Sequence, residues 1–384
     1  MTAAALFGFG LLVSSLLTYR PSELQDAESV EQILYIDRGE WQYDLYINGV
    51  AQCGEDLEVW GSRPYSIEGV RGTDVLGWSG TGRSLQPVFD PDAFGQVTMD
   101  GPNQGTEYDP NEGTERRSQG SYCSSGSPVV WGSDNSTDRV TRSSLWREIG
   151  GEWDQYKAPD GILVSQVLQQ SQGDNLLVLS VDLSRPHEVR CSTVSPDSAP
   201  QRVFDLNDSS LITSIFPDEV LIDSTLRDGQ VALLIGRVSR RQLYGRLRVI
   251  HARGCSRADS EYDLVEGDGQ NRLRVGSPSI ALGPNSVILI GDRNALTIRE
   301  YRDGHFFGRV DVDVGYDPRA GGVNEMSPTP GGDGLTIIAR SLREEYDPDF
   351  DPGVTMENHL LHYVWERQDT ICSAMKPELC LPGP

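Results

Sequence analysis

Lysine is almost absent from this 384-residue chain, in which Lys157 and Lys376 are the only two. The formal net charge is −24 at pH 7, with 57 acidic residues against 33 lysines and arginines. Because nucleic-acid binding depends on Lys and Arg neutralising phosphates, this balance argues against a nucleic-acid partner. An anionic membrane surface is disfavoured for the same reason, and the acidic surface is interpreted as a solvated one that keeps the protein soluble.

The short motifs of several enzyme classes are also missing. The sequence contains no G-x-S-x-G elbow, H-E-x-x-H motif, P-loop or Rossmann fingerprint. Among five histidines, His359 and His362 are three residues apart on a predicted strand, where that spacing directs side chains to opposite faces. Neighbouring acids such as Glu344 and Glu345 could act as an acid–base pair on a glycan, but such neighbours are expected by chance in so acidic a chain. The catalytic residues are therefore left unassigned.

Long apolar runs are missing except at the N-terminus, where Ala3 to Leu17 are almost wholly apolar. That length suits the core of a signal peptide and is short for a membrane span. No Lys or Arg precedes the run and no clean A-x-A site follows it, which departs from a typical signal peptide. On the strength of its length and apolar character, residues 1–18 are interpreted as a signal peptide or, if uncleaved, an N-terminal anchor. Both interpretations predict an extracytoplasmic protein, periplasmic or secreted. The capping-box pattern that begins at Ser22 predicts a short helical linker over residues 19–30.

Cysteine is scarce, and none of the six residues forms a C-x-x-C pair, so zinc-ribbon and thioredoxin-like sites have no support. An even number of scattered cysteines is typical of a protein with up to three disulfides in an oxidising compartment. Six cysteines allow 15 pairings, which the sequence does not distinguish. The favoured pair is Cys372 with Cys380, a short loop that would fix the C-terminal tail. Cys123 is expected to tie down a loop.

A repeat is the main feature that the sequence does contain. The first copy comprises Ser277–Ser279, Val287–Ile290 and Leu296–Tyr301, and the second comprises Ser327–Thr329, Leu335–Ile338 and Leu360–Trp365. Their openings are 50 residues apart (327 − 277). A repeat of this period, made of short strands separated by Gly, Pro and Asp, predicts an all-β fold, a β-propeller of six or seven blades. The alternative is a pair of β-sandwiches.

Further strands allow the propeller to be placed at residues 31–367, with an inserted rim loop at 90–126 and a C-terminal tail at 368–384. Unit openings are predicted near residues 30, 79, 127, 159, 217, 277 and 327, the unit near 159 being either separate or part of its predecessor. Ile33–Ile36 and Tyr43–Ile47 are predicted to form a hairpin. In the predicted strand 243–251, Leu247 and Val249 share one face, and Arg246 and Arg248 the other, which is typical of a half-buried strand.

The unit openings resemble the repeat of TolB-like (PD40-type) propellers, in which a W-S-P-D-G-like turn precedes an apolar strand. The matching residues are Trp78-Ser79-Gly80-Thr81-Gly82, Ser277-Pro278 with Gly283-Pro284-Asn285, Ser327-Pro328 with Gly332-Asp333-Gly334, and in part Pro159-Asp160-Gly161. No copy of the motif is complete, and Trp is present in only one of them. The resemblance implies a propeller that binds other proteins, often in the bacterial envelope, and implies no chemistry.

An aromatic-Asp-Pro pattern occurs five times, at residues 89–91, 108–110, 316–318, 346–348 and 350–352. Its structural interpretation is a strand exit, in which Pro fixes the turn and keeps the preceding residue extended. The last cluster also places Asp347, Asp349 and Asp351 at alternate positions, where their carboxylates could converge on Ca²⁺. An EF-hand is rejected because Gly353 is the seventh residue of this loop rather than the sixth, and the twelfth is Asn358 rather than Glu.

These observations predict an exported, non-enzymatic binding or scaffold protein, a monomer or a subunit of an envelope assembly, with a protein or glycan ligand. The competing hypothesis is a secreted propeller enzyme, a hydrolase or lyase acting on a glycan in the central funnel. Several inward polar side chains with an acid–base pair would favour the enzyme. A flat funnel with an exposed apolar patch on its rim would favour the binding protein.

If the aspartate loop binds calcium, millimolar Ca²⁺ will raise the melting temperature of the protein, because a ligand that binds only the folded state stabilises it. The substitution Asp349→Ala will remove this increase. An unchanged melting temperature of the wild type in millimolar calcium would rule the site out.

Overall fold

Strands form wherever short apolar segments are separated by Gly-, Pro- and Asp-rich turns. The computed structural model describes residues 24–26, 32–34, 46–53, 56–67, 70–81, 86–87, 116–124, 127–134, 142–149, 152–169, 176–194, 209–238, 244–265, 278–315, 318, 320–328, 334–345 and 353–365. Within these ranges the only helical element is a 3-10 turn, Pro284–Ser286. The same ranges contain no helix with the length and apolar character needed to cross a membrane.

The strands form six antiparallel sheets, which we number as blades 1 to 6 in chain order. Blade 1 comprises β3 (Tyr46–Cys53), β4 (Asp56–Ile67), β5 (Val70–Thr81) and β6 (Gln86–Pro87); blade 2 comprises β7 (Arg116–Ser124), β8 (Ser127–Asp134), β9 (Arg142–Ile149) and β10 (Glu152–Lys157); blade 3 comprises β11 (Ile162–Gln169), β12 (Leu176–Asp182), β13 (Arg185–Val194) and β14 (Ser210–Ser214). Blade 4 comprises β15 (Glu219–Arg227), β16 (Gln230–Val238), β17 (Tyr244–Arg253) and β18 (Ser260–Asp263); blade 5 comprises β19 (Ser279–Leu282), β20 (Ile288–Asp292), β21 (Ala295–Arg302) and β22 (His305–Asp311). Blade 6 comprises β23 (Ala320–Pro328), β24 (Gly334–Glu345) and β25 (Gly353–Trp365), with β1 (Leu24–Asp26) and β2 (Gln32–Leu34) paired to β25. The predicted all-β propeller is confirmed, with six blades, and the β-sandwich alternative is wrong.

The ring is closed by the N-terminal segment. β1 and β2 pair in succession along one edge of β25, with Asp26 opposite Tyr363 and Gln32 opposite Leu360. The first and last parts of the described chain therefore complete the same blade. The helix predicted over residues 19–30 is wrong at Leu24–Asp26, because pairing with β25 outweighs a local capping preference.

The first strand of each blade lies innermost. Each of these six strands contacts the first strand of the next blade, and β23 contacts β3, so they enclose a central channel. Because every blade repeats the same strand order, the innermost strands all start at one end of this channel, which we call the mouth.

Apolar side chains cover both faces of every blade. Among the described residues there are six buried apolar clusters, and each joins one pair of adjacent blades. In β16, for example, Leu233 and Ile235 pack toward blade 3, whereas Ala232 and Leu234 pack toward blade 5. The period-2 alternation of a strand thus supplies two interfaces at once.

Burial on both faces overturns one prediction. The alternation of Arg248 with Leu247 and Val249 predicts a solvent-exposed position for Arg248 on the strand. It is instead buried, with its guanidinium 2.6 Å from the Glu219 carboxylate and 2.5 Å from that of Glu261. The neighbouring strands and turn cover this position of the blade, and a buried arginine must be paired.

Several predicted unit boundaries are also wrong. The hairpin of Ile33–Ile36 with Tyr43–Ile47 is not formed, because β2 pairs with β25 in blade 6 and β3 pairs with β4 in blade 1. Trp78 lies in the third strand of blade 1, and Ser127 starts the second strand of blade 2. The openings near 159, 217 and 277 do precede the first strands of blades 3, 4 and 5.

The predicted rim insertion at residues 90–126 is wrong in its second part, because residues 116–124 form the innermost strand of blade 2. Residues 88–115 and the favoured pair Cys372 and Cys380 lie outside the described residues, as does the N-terminal segment 1–18.

Two disulfides cross blade interfaces. Cys53 at the end of β3 is bonded to Cys123 in β7, which joins blades 1 and 2. Cys191 in β13 is bonded to Cys255 after β17, which joins blades 3 and 4. The expected disulfides are thus confirmed for these four cysteines, and they indicate an oxidising environment.

Removing the Cys191–Cys255 bond should destabilise the protein by about 2–5 kcal/mol, because the bond closes a loop across 64 residues and restricts the unfolded chain. The double variant Cys191→Ala/Cys255→Ala will therefore unfold at a lower denaturant concentration than the wild type. Peptide mapping without reductant checks the pairing. Equal unfolding midpoints, or a peptide that links Cys191 to a different cysteine, would contradict the prediction.

Candidate functional site in the central channel

Five of the six innermost strands carry a β-bulge near their middle. The bulged residues are Asn48, Gln119, Ser165, Ile222 and Asn324, in β3, β7, β11, β15 and β23. A bulge bends the strand and redirects the side chain beside it. The residues that follow the bulges are Gly49, Gly120, Gln166, Asp223 and Glu325, so equivalent positions of blades 3, 4 and 6 present polar side chains at one level of the channel.

The Asp223 carboxylate is held by three donors from three blades. Oδ1 accepts hydrogen bonds from the Gln166 side-chain amide of blade 3 at 2.8 Å and from the Ser224 backbone N–H at 2.7 Å. Oδ2 accepts one from the Ile280 backbone N–H of blade 5 at 2.8 Å. This fixes the carboxylate and connects innermost strands that share no backbone ladder.

Glu325 of blade 6 interacts electrostatically with Asp223 across the channel. Burial raises the pKa of Asp223 to about 6, although the Ile280 and Ser224 N–H groups and the Arg293 charge act to lower it. Burial, and then the negative charge of Asp223, raise the pKa of Glu325 well above its usual value, while Arg293 acts to lower it. Because the three donors favour ionised Asp223, a proton taken up by the pair resides on Glu325 rather than on Asp223.

Arg293 reaches the pair from blade 5. It lies in the turn between β20 and β21, and it acts electrostatically on both carboxyl groups. That turn packs directly on β23, because a Cβ atom on Gly322 would overlap the Arg293 main-chain carbonyl. Gly322 therefore allows the close approach that places a cation beside the two acids.

Glycines occupy the equivalent positions of blades 1 and 2. A Cβ atom on Gly49 would lie 2.5 Å from the Ser121 backbone nitrogen, and one on Gly120 would overlap the Trp131 indole. These glycines permit the innermost strands of the two blades to pack closely, next to the Cys53–Cys123 bond. Among the residues that follow the bulges, polar side chains therefore occur in blades 3, 4 and 6.

The sequence did not single out Gln166, Asp223 or Glu325. The available signal is local: Asp223 interrupts the apolar run of Val220, Leu221 and Ile222 inside a predicted blade. Sequence alone does not show that three such residues converge, because successive members lie 57 and 102 positions apart (223 − 166 and 325 − 223).

The predicted calcium ligands Asp347, Asp349 and Asp351 lie outside the described residues. Within the described part of the chain, no group of three or more His, Cys, Asp or Glu side chains is arranged to hold a metal ion.

A second polar cluster, in blade 6, combines a serine, a histidine and an acid. The Ser341 hydroxyl lies 2.7 Å from His359 Nε2, and a Glu357 carboxylate oxygen lies 3.8 Å from the same nitrogen. In a catalytic triad the acid binds the other imidazole nitrogen. All three residues are also fully buried, so we assign this cluster a structural role.

Glu325→Gln should stabilise the protein increasingly as pH rises. The pKa of Glu325 is raised in the folded state, so the folded protein holds this proton more tightly than the unfolded chain does. The resulting stabilisation is complete below the unfolded-state pKa of about 4.3, and it is lost as pH rises through the folded-state pKa. Glutamine does not titrate, so the melting-temperature difference between variant and wild type will grow more positive from pH 4 to pH 8. Asp228→Asn is the control, because Asp228 is exposed and its positive φ of 50° tolerates Asn. A pH-independent difference for Glu325→Gln would contradict the prediction.

No family model matches the chain, and no curated protein matches it. Solved structures with a similar course of the chain include a hypothetical protein from Leishmania major, with 12% identity and a TM-score of 0.40, covering 89% of this chain and 91% of that one. They also include the catalytic domain of the Coprinopsis cinerea GH62 α-L-arabinofuranosidase, with 12% identity and a TM-score of 0.39 (82% and 90% covered), and Trypanosoma rangeli sialidase, with 8% identity and a TM-score of 0.44 (90% and 59% covered). Likeness at this level carries no argument about the chemistry of this chain.

Proposed function

We propose that this protein is an exported β-propeller hydrolase that cleaves glycosidic bonds in its central channel. The observation that carries the proposal is the Asp223–Glu325 pair, two largely enclosed carboxyl groups with raised pKa values and different hydrogen-bonding environments. Carboxyl pairs whose environments separate their protonation states are typical of general acid–base catalysis.

The environments assign one role to each group. Asp223 is the base, because its three donors favour the carboxylate. Its Oδ1 accepts two hydrogen bonds and is saturated, whereas Oδ2 accepts one and keeps a lone pair for an incoming proton. Glu325, with the higher pKa, is the acid.

In the proposed reaction Glu325 donates its proton to the glycosidic oxygen while the bond between that oxygen and the anomeric carbon breaks. A water molecule attacks the anomeric carbon and gives a proton to Oδ2 of Asp223. The products are two shorter sugars with the elements of one water added. Proton exchange with solvent then restores ionised Asp223 and protonated Glu325. Arg293 limits the cost of holding negative charge on the pair.

Peptide hydrolysis by a carboxyl dyad fits less well. Dyads of that kind share one proton between two closely similar carboxyl groups. Here Asp223 is fixed by donors from blades 3, 4 and 5, whereas Glu325 lies in β23 of blade 6. The surroundings of the two carboxyl groups therefore differ.

The cysteines support an exported protein. Cys53–Cys123 and Cys191–Cys255 are both formed, and disulfides persist in oxidising compartments. An extracytoplasmic glycan is therefore an accessible substrate.

A non-enzymatic binding or scaffold protein is the second candidate. It is favoured by the Asp223 hydrogen bonds, which join blades 3, 4 and 5. This structural role would by itself explain why a carboxylate occupies the position. The two candidates differ in whether Glu325 is needed for turnover.

The test is hydrolysis of a panel of 4-nitrophenyl glycosides by the purified protein. Glu325→Gln should lower kcat on the cleaved glycoside by about 10²–10⁴-fold, the usual contribution of a general acid. The pH profile of kcat/KM for the wild type should rise with an apparent pKa of about 6, from Asp223, and fall at higher pH as Glu325 loses its proton.

Asp228→Asn again serves as the control and should retain wild-type kcat. If no glycoside is cleaved, or if Glu325→Gln retains full activity, the hydrolase proposal is wrong and the binding candidate is favoured.

A further inference from the structure

Exposed apolar side chains are concentrated at the mouth of the channel, between blades 3 and 4. Six large apolar side chains are exposed in the described residues, and four of them, Leu163, Leu183, Phe216 and Val220, belong to this region. We call these four the mouth patch. The other two, Leu211 and Phe306, lie near the starts of outer strands β14 and β22, at the opposite end of the blades.

The strand directions and one backbone contact place the mouth patch. Leu163 and Val220 are the second residues of the innermost strands β11 and β15, which start at the mouth. Leu183 lies in the turn between β12 and β13, and its N–H donates to the Gly161 carbonyl just before β11, at 2.9 Å. The four side chains therefore border the same end of the channel.

Phe216 is held rigidly within this patch. Its carbonyl accepts a hydrogen bond from the Glu219 N–H at 2.9 Å, which closes a turn through Pro217 and Asp218. Its own N–H donates to the Glu219 carboxylate at 3.1 Å. The Arg248 guanidinium lies over its ring, 5.3 Å from the ring centroid, and is itself buried between Glu219 and Glu261. A buried ion pair thus supports one face of the ring, and Phe216 remains 55% exposed.

The distance to the acid–base pair suits a neighbouring subsite. Phe216 leads directly into β15, and Glu219 and Asp223 are separated along that strand by roughly 10–13 Å, at about 3.3 Å per residue. A chain of sugars bound at Asp223 and leaving through the mouth would pass this ring.

We propose that Phe216 is the stacking platform of a carbohydrate subsite at the mouth, which binds a unit of the glycan beyond the bond cleaved at Asp223 and Glu325. The proposal rests on the hydrolase function proposed above. The apolar C–H face of a sugar ring complements the negative face of an aromatic ring, and the guanidinium on the other side keeps the ring fixed. A protein partner fits less well, since a stable interface buries about 800 Å² per partner and the mouth patch offers four separate side chains.

The experiment uses the full chain with Glu325→Gln, which slows cleavage, applied to a printed array of neutral and acidic oligosaccharides of two to ten units. Phe216→Ala in this background should raise the half-saturating protein concentration on the bound glycans about tenfold. Phe306→Ala is the matched control, because Phe306 is also exposed, at 41%, but lies at the opposite end of the blade, and it should bind as the parent does. Phe216→Leu keeps an apolar side chain without a ring face and should lose binding as Phe216→Ala does. Melting temperatures verify that each variant is folded.

The proposal is overturned if the parent binds no glycan on the array, if Phe216→Ala binds like Phe306→Ala, or if Phe216→Leu retains full binding. The array needs no turnover, so it separates the two proposals. Phe216-dependent binding without hydrolysis of any glycoside would support the subsite and reject the hydrolase, whereas Glu325-dependent hydrolysis without Phe216-dependent binding would reject only the subsite.

Discussion

Apolar contact between neighbouring blades is the interaction on which the rest of this structure depends. Each blade is an antiparallel sheet, of four strands in blades 1 to 5 and five in blade 6, with apolar side chains on both faces, and such a sheet is stable only when both faces are covered. A ring satisfies this for every blade with one kind of interface, and it leaves no blade at an end. The six buried clusters, one for each adjacent pair, are the direct expression of that constraint.

The ring must also be held closed. β1 and β2 complete blade 6, so the N-terminal segment is joined to the last blade by backbone hydrogen bonds. The disulfide between blades 1 and 2 crosses an interface whose buried apolar cluster comprises, within the described part of the chain, Trp60, Val75, Val130 and Trp146. Covalent bonds thus supplement side-chain packing at two of the six interfaces.

Closure has a consequence for chemistry. The innermost strands come together without a shared backbone ladder, and bulges in five of them redirect the side chains beside the bulge. At Asp223 one carboxylate both joins three blades and faces a second acid, so the structural role and the proposed catalytic role fall on the same group. Burial makes both charges costly, which is why the pKa values of Asp223 and Glu325 rise, and the proposed acid–base chemistry rests on this rise.

The sequence by itself determined the elements of this protein. Gly-, Pro- and Asp-rich turns between short apolar segments, with one unit repeated at a spacing of fifty residues, were sufficient for an all-β propeller, for about half of its strands and for the presence of disulfides. Strand formation and turn formation are local, so nearby residues report them. The repeat then implies that the units pack on one another, because no single unit can cover its own apolar faces.

Only the tertiary structure decided which residues meet. The hairpin predicted from Ile33 and Tyr43 failed because each segment pairs with a distant strand, and Arg248 proved buried because the neighbouring strands and turn cover the position that its alternation assigned to solvent. Gln166, Asp223 and Glu325 come from three blades, and their convergence depends on the closure of the ring and on the bulge positions. Neither property is recorded in the local pattern of polar and apolar residues, since both follow from contacts between residues far apart in the chain.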